Sequence, residues 1–135
     1  MDKILEYLLK NLSFIYNQYE FKFVDSMTSS SFGGDGYLTL RSDYIEIRIT
    51  NDRDQLFLDF RSTEFDKDNE WHSVDLIKQL ITGIIDDTSM LNDDIAASVK
   101  ENFSRIRKLF DLEKAKDTVM QLRKLEAERA KRLFK

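Results

Sequence analysis

The stretch Tyr37-Leu38-Thr39-Leu40-Arg41-Ser42-Asp43-Tyr44-Ile45-Glu46-Ile47-Arg48-Ile49-Thr50-Asn51-Asp52-Arg53-Asp54-Gln55-Leu56-Phe57-Leu58-Asp59-Phe60-Arg61 decides the fold. Its apolar residues fall at every second position, the period of strands with one buried face. Ser42-Asp43 forms a tight two-residue connection. Asn51-Asp52-Arg53-Asp54 carries short polar side chains that bond nearby backbone and favour turns. Three strands therefore follow one another as hairpins. Upstream, Phe21 and Phe23 flank Lys22 and start a fourth strand, separated from the others by the serine- and glycine-rich loop Ser26 to Gly36. The meander spans residues 19–61.

Helices are expected on both sides of it. Ile4, Leu5, Leu8, Leu9, Leu12, Ile15 and Tyr16 recur at steps of three and four, the apolar stripe of an amphipathic helix over 2–17. Ser73 is an N-cap for a helix over 73–82 carrying Val74, Ile77, Leu80 and Ile81, and Gly83 is its natural stop. A helix over 92–110 starts at Asn92, with Asp93 and Asp94 placed favourably against its dipole. The last helix, 112–133, has Leu112, Ala115, Val119 and Leu122 on a heptad-like seam that Glu126 and Arg129 then interrupt, so it is expected to pack at its start and be solvated at its end. The predicted class is α+β: an N-terminal helix, an antiparallel sheet of about four strands, then three C-terminal helices in one domain, 1–135.

Composition narrows the classes. A chain of 135 residues with 41% apolar and 34% charged residues is globular, and no apolar run approaches the roughly 20 residues that span a bilayer. The segment Met1 to Asn17 mixes Asp2, Lys3 and Glu6 among its leucines, unlike a secretory signal, and the expected location is cytoplasmic. The lack of cysteine excludes disulfides, thiolate zinc and thiol nucleophiles. Charge is uneven. Met1 to Val99 carries 9 Lys and Arg against 19 Asp and Glu, a balance of −10, and Lys100 to Lys135 carries 12 against 6, a balance of +6. A basic terminal helix of this kind either touches nucleic acid or folds back onto the acidic body. With a pI near 5.1, a dedicated nucleic-acid binder is disfavoured.

Chemical motifs lack their defining residues. The loop Ser31-Phe32-Gly33-Gly34-Asp35-Gly36 has no following Lys-Ser/Thr pair and leads into a strand, so it reads as a turn or bulge rather than a phosphate cradle. Asp66, Asp68 and Glu70 resemble the opening of a calcium loop, but Trp71 stands where glycine is required and Ile77 where an acidic ligand is. His72 is the single histidine, so no multi-histidine metal site forms within one chain, and beside Trp71 it is expected to bond backbone carbonyls or lie at the surface. No Gly-x-Ser-x-Gly elbow occurs, and Asp52 and Asp54 fall in a turn where both stay solvated. The chain is therefore expected to be neither an enzyme nor a cofactor protein.

A surface remains. With the isoleucines of the third strand inward, Tyr44, Glu46, Arg48 and Thr50 face outward beside Tyr37, Thr39 and Arg41 on one neighbour and Phe57, Asp59 and Arg61 on the other. Tyr37, Arg41, Tyr44, Glu46, Arg48, Phe57, Asp59, Arg61 and Trp71 are the expected partner-binding residues. Large rings and planar guanidinium groups of this kind are enriched at binding hot spots. The competing reading is a face that satisfies its charges in cross-strand pairs or lies under a later helix.

The series Phe23-Val24-Asp25-Ser26, Ser31-Phe32-Gly33-Gly34, Asp52-Arg53-Asp54-Gln55, Asp59-Phe60-Arg61-Ser62 and Trp71-His72-Ser73-Val74-Asp75-Leu76 resembles a group of small bacterial proteins similar to the immunity proteins of polymorphic or contact-dependent toxin systems. The resemblance runs over about Phe21 to Gly83. It implies a cytoplasmic protein that binds and neutralises a cognate toxin domain, with no catalytic residue. The alternative is a nucleic-acid-associated regulatory protein using the basic C-terminal helix.

Overall fold

A computed structural model describes residues 1–29, 35–66 and 70–134. The order is α1 (Asp2–Asn11), α2 (Phe14–Asn17), β1 (Lys22–Thr28), β2 (Gly36–Ser42), β3 (Ile45–Asp52), β4 (Gln55–Ser62), β5 (His72–Ser73), α3 (Val74–Thr82), α4 (Asp93–Leu109) and α5 (Ala115–Leu133). The strands form one antiparallel sheet in sequential order, β1-β2-β3-β4-β5. The α+β class holds, with five strands where about four were expected.

Pairing register explains the alternation. Leu38 lies across from Ile49 and Leu40 from Ile47, while Ile49 lies across from Leu58 and Ile47 from Phe60, so one face of three strands is a continuous apolar ladder. Ile47, Ile49, Leu58 and Phe60 are fully buried there with Ile4, Leu8, Leu12 and Ile15 of the N-terminal helices. Phe103 of α4 anchors the same layer, with its ring 5.2 Å from Phe14, 4.7 Å from Tyr19 and 5.6 Å from Phe21. Each fully buried side chain of this size contributes about 1.5–3 kcal/mol, so this layer dominates stability.

The boundaries differ from expectation at four places. The N-terminal helix breaks at Leu12, whose φ is −126°, so 2–17 is two helices; Asn11 and Ser13, residue types of weak helix propensity, flank the break. The stripe is correspondingly narrower, since Leu5 and Leu9 are exposed. β1 extends through Thr28, into residues read as loop, and Ser30 to Gly34 of that reading fall outside the described residues. The β2–β3 turn is Asp43-Tyr44, which takes Tyr44 off the strand, and the β3–β4 turn is Arg53-Asp54, both at positive φ (52° and 69°), as a type I′ hairpin turn requires. Leu112 precedes α5 and is exposed.

Two of the three expected caps form, whereas Ser73 sits at the N-cap position of α3 without a side-chain cap, its hydroxyl donating to Asp75 instead. Gly83 ends α3 at φ 75°, where an L side chain is strained, and the Asn92 side chain accepts from the Ile95 N–H at 2.9 Å at the start of α4. α5 buries Ala115, Thr118, Val119 and Leu122, and beyond Leu122 its attachment to the body becomes ionic.

Candidate functional site

The outer face of the sheet is arranged in three cross-strand rows. Arg41, Glu46 and Arg61 form one, Asp25, Thr39, Arg48, Asp59 and Ser73 the next, and Met27, Tyr37, Thr50 and Phe57 the third. Apart from Arg41, its charges are engaged within the face. Arg61 pairs with Glu46, and both are largely buried. Arg48 donates from Nε to Thr39 Oγ1 at 3.0 Å and lies 3.7 Å from Asp25. Its guanidinium is 3.8 Å from the centre of the Tyr37 ring and 4.4 Å from that of Trp71, a cation held between two aromatic faces. Trp71 also lies 5.4 Å from the Arg61 guanidinium. Five expected residues, Tyr37, Glu46, Arg48, Arg61 and Trp71, therefore touch one another. Phe57 is half-buried, bridged to Met90; Tyr44 sits in its turn; Arg41 is exposed. Asp59 is pushed up to about 6 by burial and by the charge of Asp75, against the pull of Arg48, Arg129 and His72.

Beyond β4 the sheet edge is closed. Phe57 bridges to Met90, Asp59 pairs with Ser73 and Phe60 with His72, and the Leu91 N–H donates to the Leu56 carbonyl at 2.7 Å. His72 is fully buried, its Nε2 2.9 Å from Asp66 Oδ1 and its Nδ1 2.7 Å from Glu126 Oε1. Burial alone would push the imidazole down; the hydrogen bonds to the two carboxylates, and their charges, outweigh it and raise His72 to about 9. At neutral pH the ring is thus an imidazolium donating from both nitrogens. The surface or carbonyl-bonded histidine expected from sequence is instead a cationic bridge from the Asp66 loop through β5 to α5.

Two further contacts repeat the pattern along α5. Arg123 grips Glu70 with Nε and Nη2, at 2.6 and 3.0 Å, and Arg129 donates from Nη1 to Asp75 Oδ2 at 2.8 Å and to the Ser73 hydroxyl at 2.7 Å. Arg132 continues it to Asp87 at 2.8 Å. Residues 123, 126, 129 and 132 are three apart, so each adjoins the next on the helix surface while the row winds around α5. The helix end expected to be solvated is a row of ion pairs, and these arginines are spent on the acidic body.

Asp66, Glu70 and His72 offer ligand atoms all within 4.8 Å of one another, the spacing of a metal site. They do not fit one, because both imidazole nitrogens are engaged by carboxylates and Glu70 is held bidentately by Arg123, so cationic side chains already neutralise the cluster. Of the calcium-loop pattern, Asp68 lies outside the described residues. With no lone pair free and no exposure, His72 is not placed to touch a substrate.

The opposite edge is open. β1 has β2 on one side and no described strand on the other, and all seven of its residues are exposed. Phe23, Val24 and Met27 are 54%, 50% and 46% accessible. A register shift between Phe23 and Asp25 bulges the strand at Val24.

These features define an α+β protein with a five-stranded sheet, latched at one edge and, among the described residues, unpaired at the other. Comparison with protein-family models, curated proteins and solved structures found no match. No helix among the described residues is long and apolar enough to cross a membrane.

Proposed function

We propose that the chain is a non-catalytic protein-binding module of the immunity type, acting in the cytoplasm, which receives an extended segment of a toxin domain against β1. The observation that supports this reading is the seven-residue edge strand with every residue exposed and three large apolar side chains on it. An edge strand presents unpaired backbone N–H and C=O groups, a template that another chain completes by strand addition. The stack of Tyr37 on β2, Arg48 on β3 and Trp71 adds rigid contact area beside the strand at little entropic cost. The toxin as partner rests on the sequence resemblance. A nucleic-acid role for α5 has less to work with, because Arg123, Arg129 and Arg132 are ion-paired to the body.

The test is co-expression with the protein encoded by the adjacent gene, followed by co-purification and a growth assay. A stoichiometric complex and rescue of growth are expected, both lost in Val24→Pro, which removes a backbone donor at the bulge. Neither complex nor rescue from the unaltered chain contradicts the proposal, and a complex that survives Val24→Pro contradicts the use of β1.

A further inference from the structure

We infer that the segment received by β1 is antiparallel to it and ends in carboxylates, which seat in a cationic cleft at the Lys22 end of the strand; this rests on the reading that β1 is the binding edge. Two hollows flank the strand. One, lined by Phe23, Val24, Asp25, Ser26 and Leu38, is a shallow trough of mixed polarity on the strand itself. The other is an open cleft of about 850 Å³ whose walls include Tyr16, Tyr19, Lys22, Arg41 and Arg107. Val24 lines both, so the two hollows adjoin along the strand. The Tyr16 ring of one lining and the Phe23 ring of the other are 6.0 Å apart.

Charge decides what fits the cleft. Acidic residues outnumber basic ones 25 to 21, and most arginines have found a carboxylate: Arg48, Arg53, Arg61, Arg123, Arg129 and Arg132 all have one within 4 Å. Lys22, Arg41 and Arg107 form no ion pair with any described residue, and all three line this cleft. Arg107 is oriented by the Tyr19 ring, 5.2 Å from its guanidinium. The rim also carries Glu20 and Asp43, which leaves the cleft with three cations against two anions. Guanidinium groups bind carboxylates through paired hydrogen bonds, and Arg41 and Arg107 both have theirs to offer.

Direction follows from the strand. Lys22 is the first residue of β1, so an antiparallel segment runs its C-terminal end toward the cleft. The same segment lays apolar side chains over Phe23 and Leu38. A second copy pairing β1 to β1 in this sense brings Thr28 and Ser29 to Lys22, neither of which supplies a carboxylate. A partner chain fits better than a dimer.

The test uses the full chain and two ten-residue peptides of alternating Thr and Val, one ending in Glu-Glu with a free carboxylate, the other in Lys-Lys with an amide. Residue-resolved amide exchange and titration are read together. The acidic peptide is expected to slow exchange at 22–28 and to bind about tenfold or more tightly than the basic one. The preference should shrink as salt rises and reverse in Arg41→Glu/Arg107→Glu; Lys22→Gln, at an exposed position, reports the same loss in part should the double variant fold poorly. Equal affinities, a preference for the basic peptide, no slowing of β1 by either, or peptide-free slowing that grows with protein concentration would each overturn the inference. With a natural partner, a complex lost in Val24→Pro but kept in the charge-reversed variant overturns the acidic segment and leaves the binding edge standing.

Discussion

The two edges of the sheet face the same physical problem and solve it differently. An outer strand has backbone groups that want partners and side chains that want cover. At β4 the problem is closed by the chain itself: two residues of β5, the Met90–Leu91 segment, and behind them α5 held by His72, Arg123 and Arg129. At β1 it is left open, guarded by a bulge and by Lys22 and Asp25. The difference teaches that the uneven charge of this chain is largely architectural, because the excess positive charge of the last helix is used to latch one edge rather than to reach a partner.

The largest expected effect comes from breaking the latch. His72→Ala leaves Asp66 and Glu126 without their shared cation, and removal of one partner from a buried ionic network costs about 3–5 kcal/mol. Urea denaturation should show that loss; a change under about 1 kcal/mol would mean the latch contributes little.

Next in size is the pH dependence. The folded His72 value, about 9, lies above the ordinary 6.5, so its contribution is complete below pH 6.5 and is lost as pH rises through 9, about 3 kcal/mol in all. Asp59, raised from 3.8 to about 6, favours the folded state below pH 3.8, and that advantage is lost as pH rises through 6. Stability should therefore decline between pH 6.5 and 9.5, and His72→Ala should flatten that decline. An unchanged slope in the variant would assign the titration elsewhere.

The smallest effect belongs to the open edge. Val24→Pro alters an exposed position at a bulge on an outer strand, where proline is tolerated, so denaturation midpoints should move by less than about 1 kcal/mol while partner binding is lost. A large destabilisation would show that β1 matters more to the fold than its exposure implies.

Much of this was legible in the sequence, and the reasons for the rest are physical. The period of two located β2, β3 and β4 and their inward residues because alternation is a local property. The same period put Tyr37, Glu46, Arg48 and Arg61 on the side away from the isoleucines, but the burial of Glu46 against Arg61 and the stacking of Arg48 on Trp71 depend on cross-strand register and on a residue 23 positions further along. β5 escaped because two residues carry no period. The role of His72 escaped because Glu126 is 54 residues away. A signal was nevertheless present: Arg123, Glu126, Arg129 and Arg132 stand three apart on a helix that follows an acidic body, and the contrast between −10 and +6 already allowed the helix to fold back.

The most direct test of the account is residue-resolved hydrogen exchange of the free chain and of its complex with the protein encoded beside it. The account predicts that in the free chain β1 amides exchange by local opening while His72, Ser73 and the facing turns of α5 exchange only with global unfolding, and that complex formation slows 22–28 selectively. Uniform protection of both edges in the free chain, or a complex that slows α5 and leaves β1 unchanged, would contradict it.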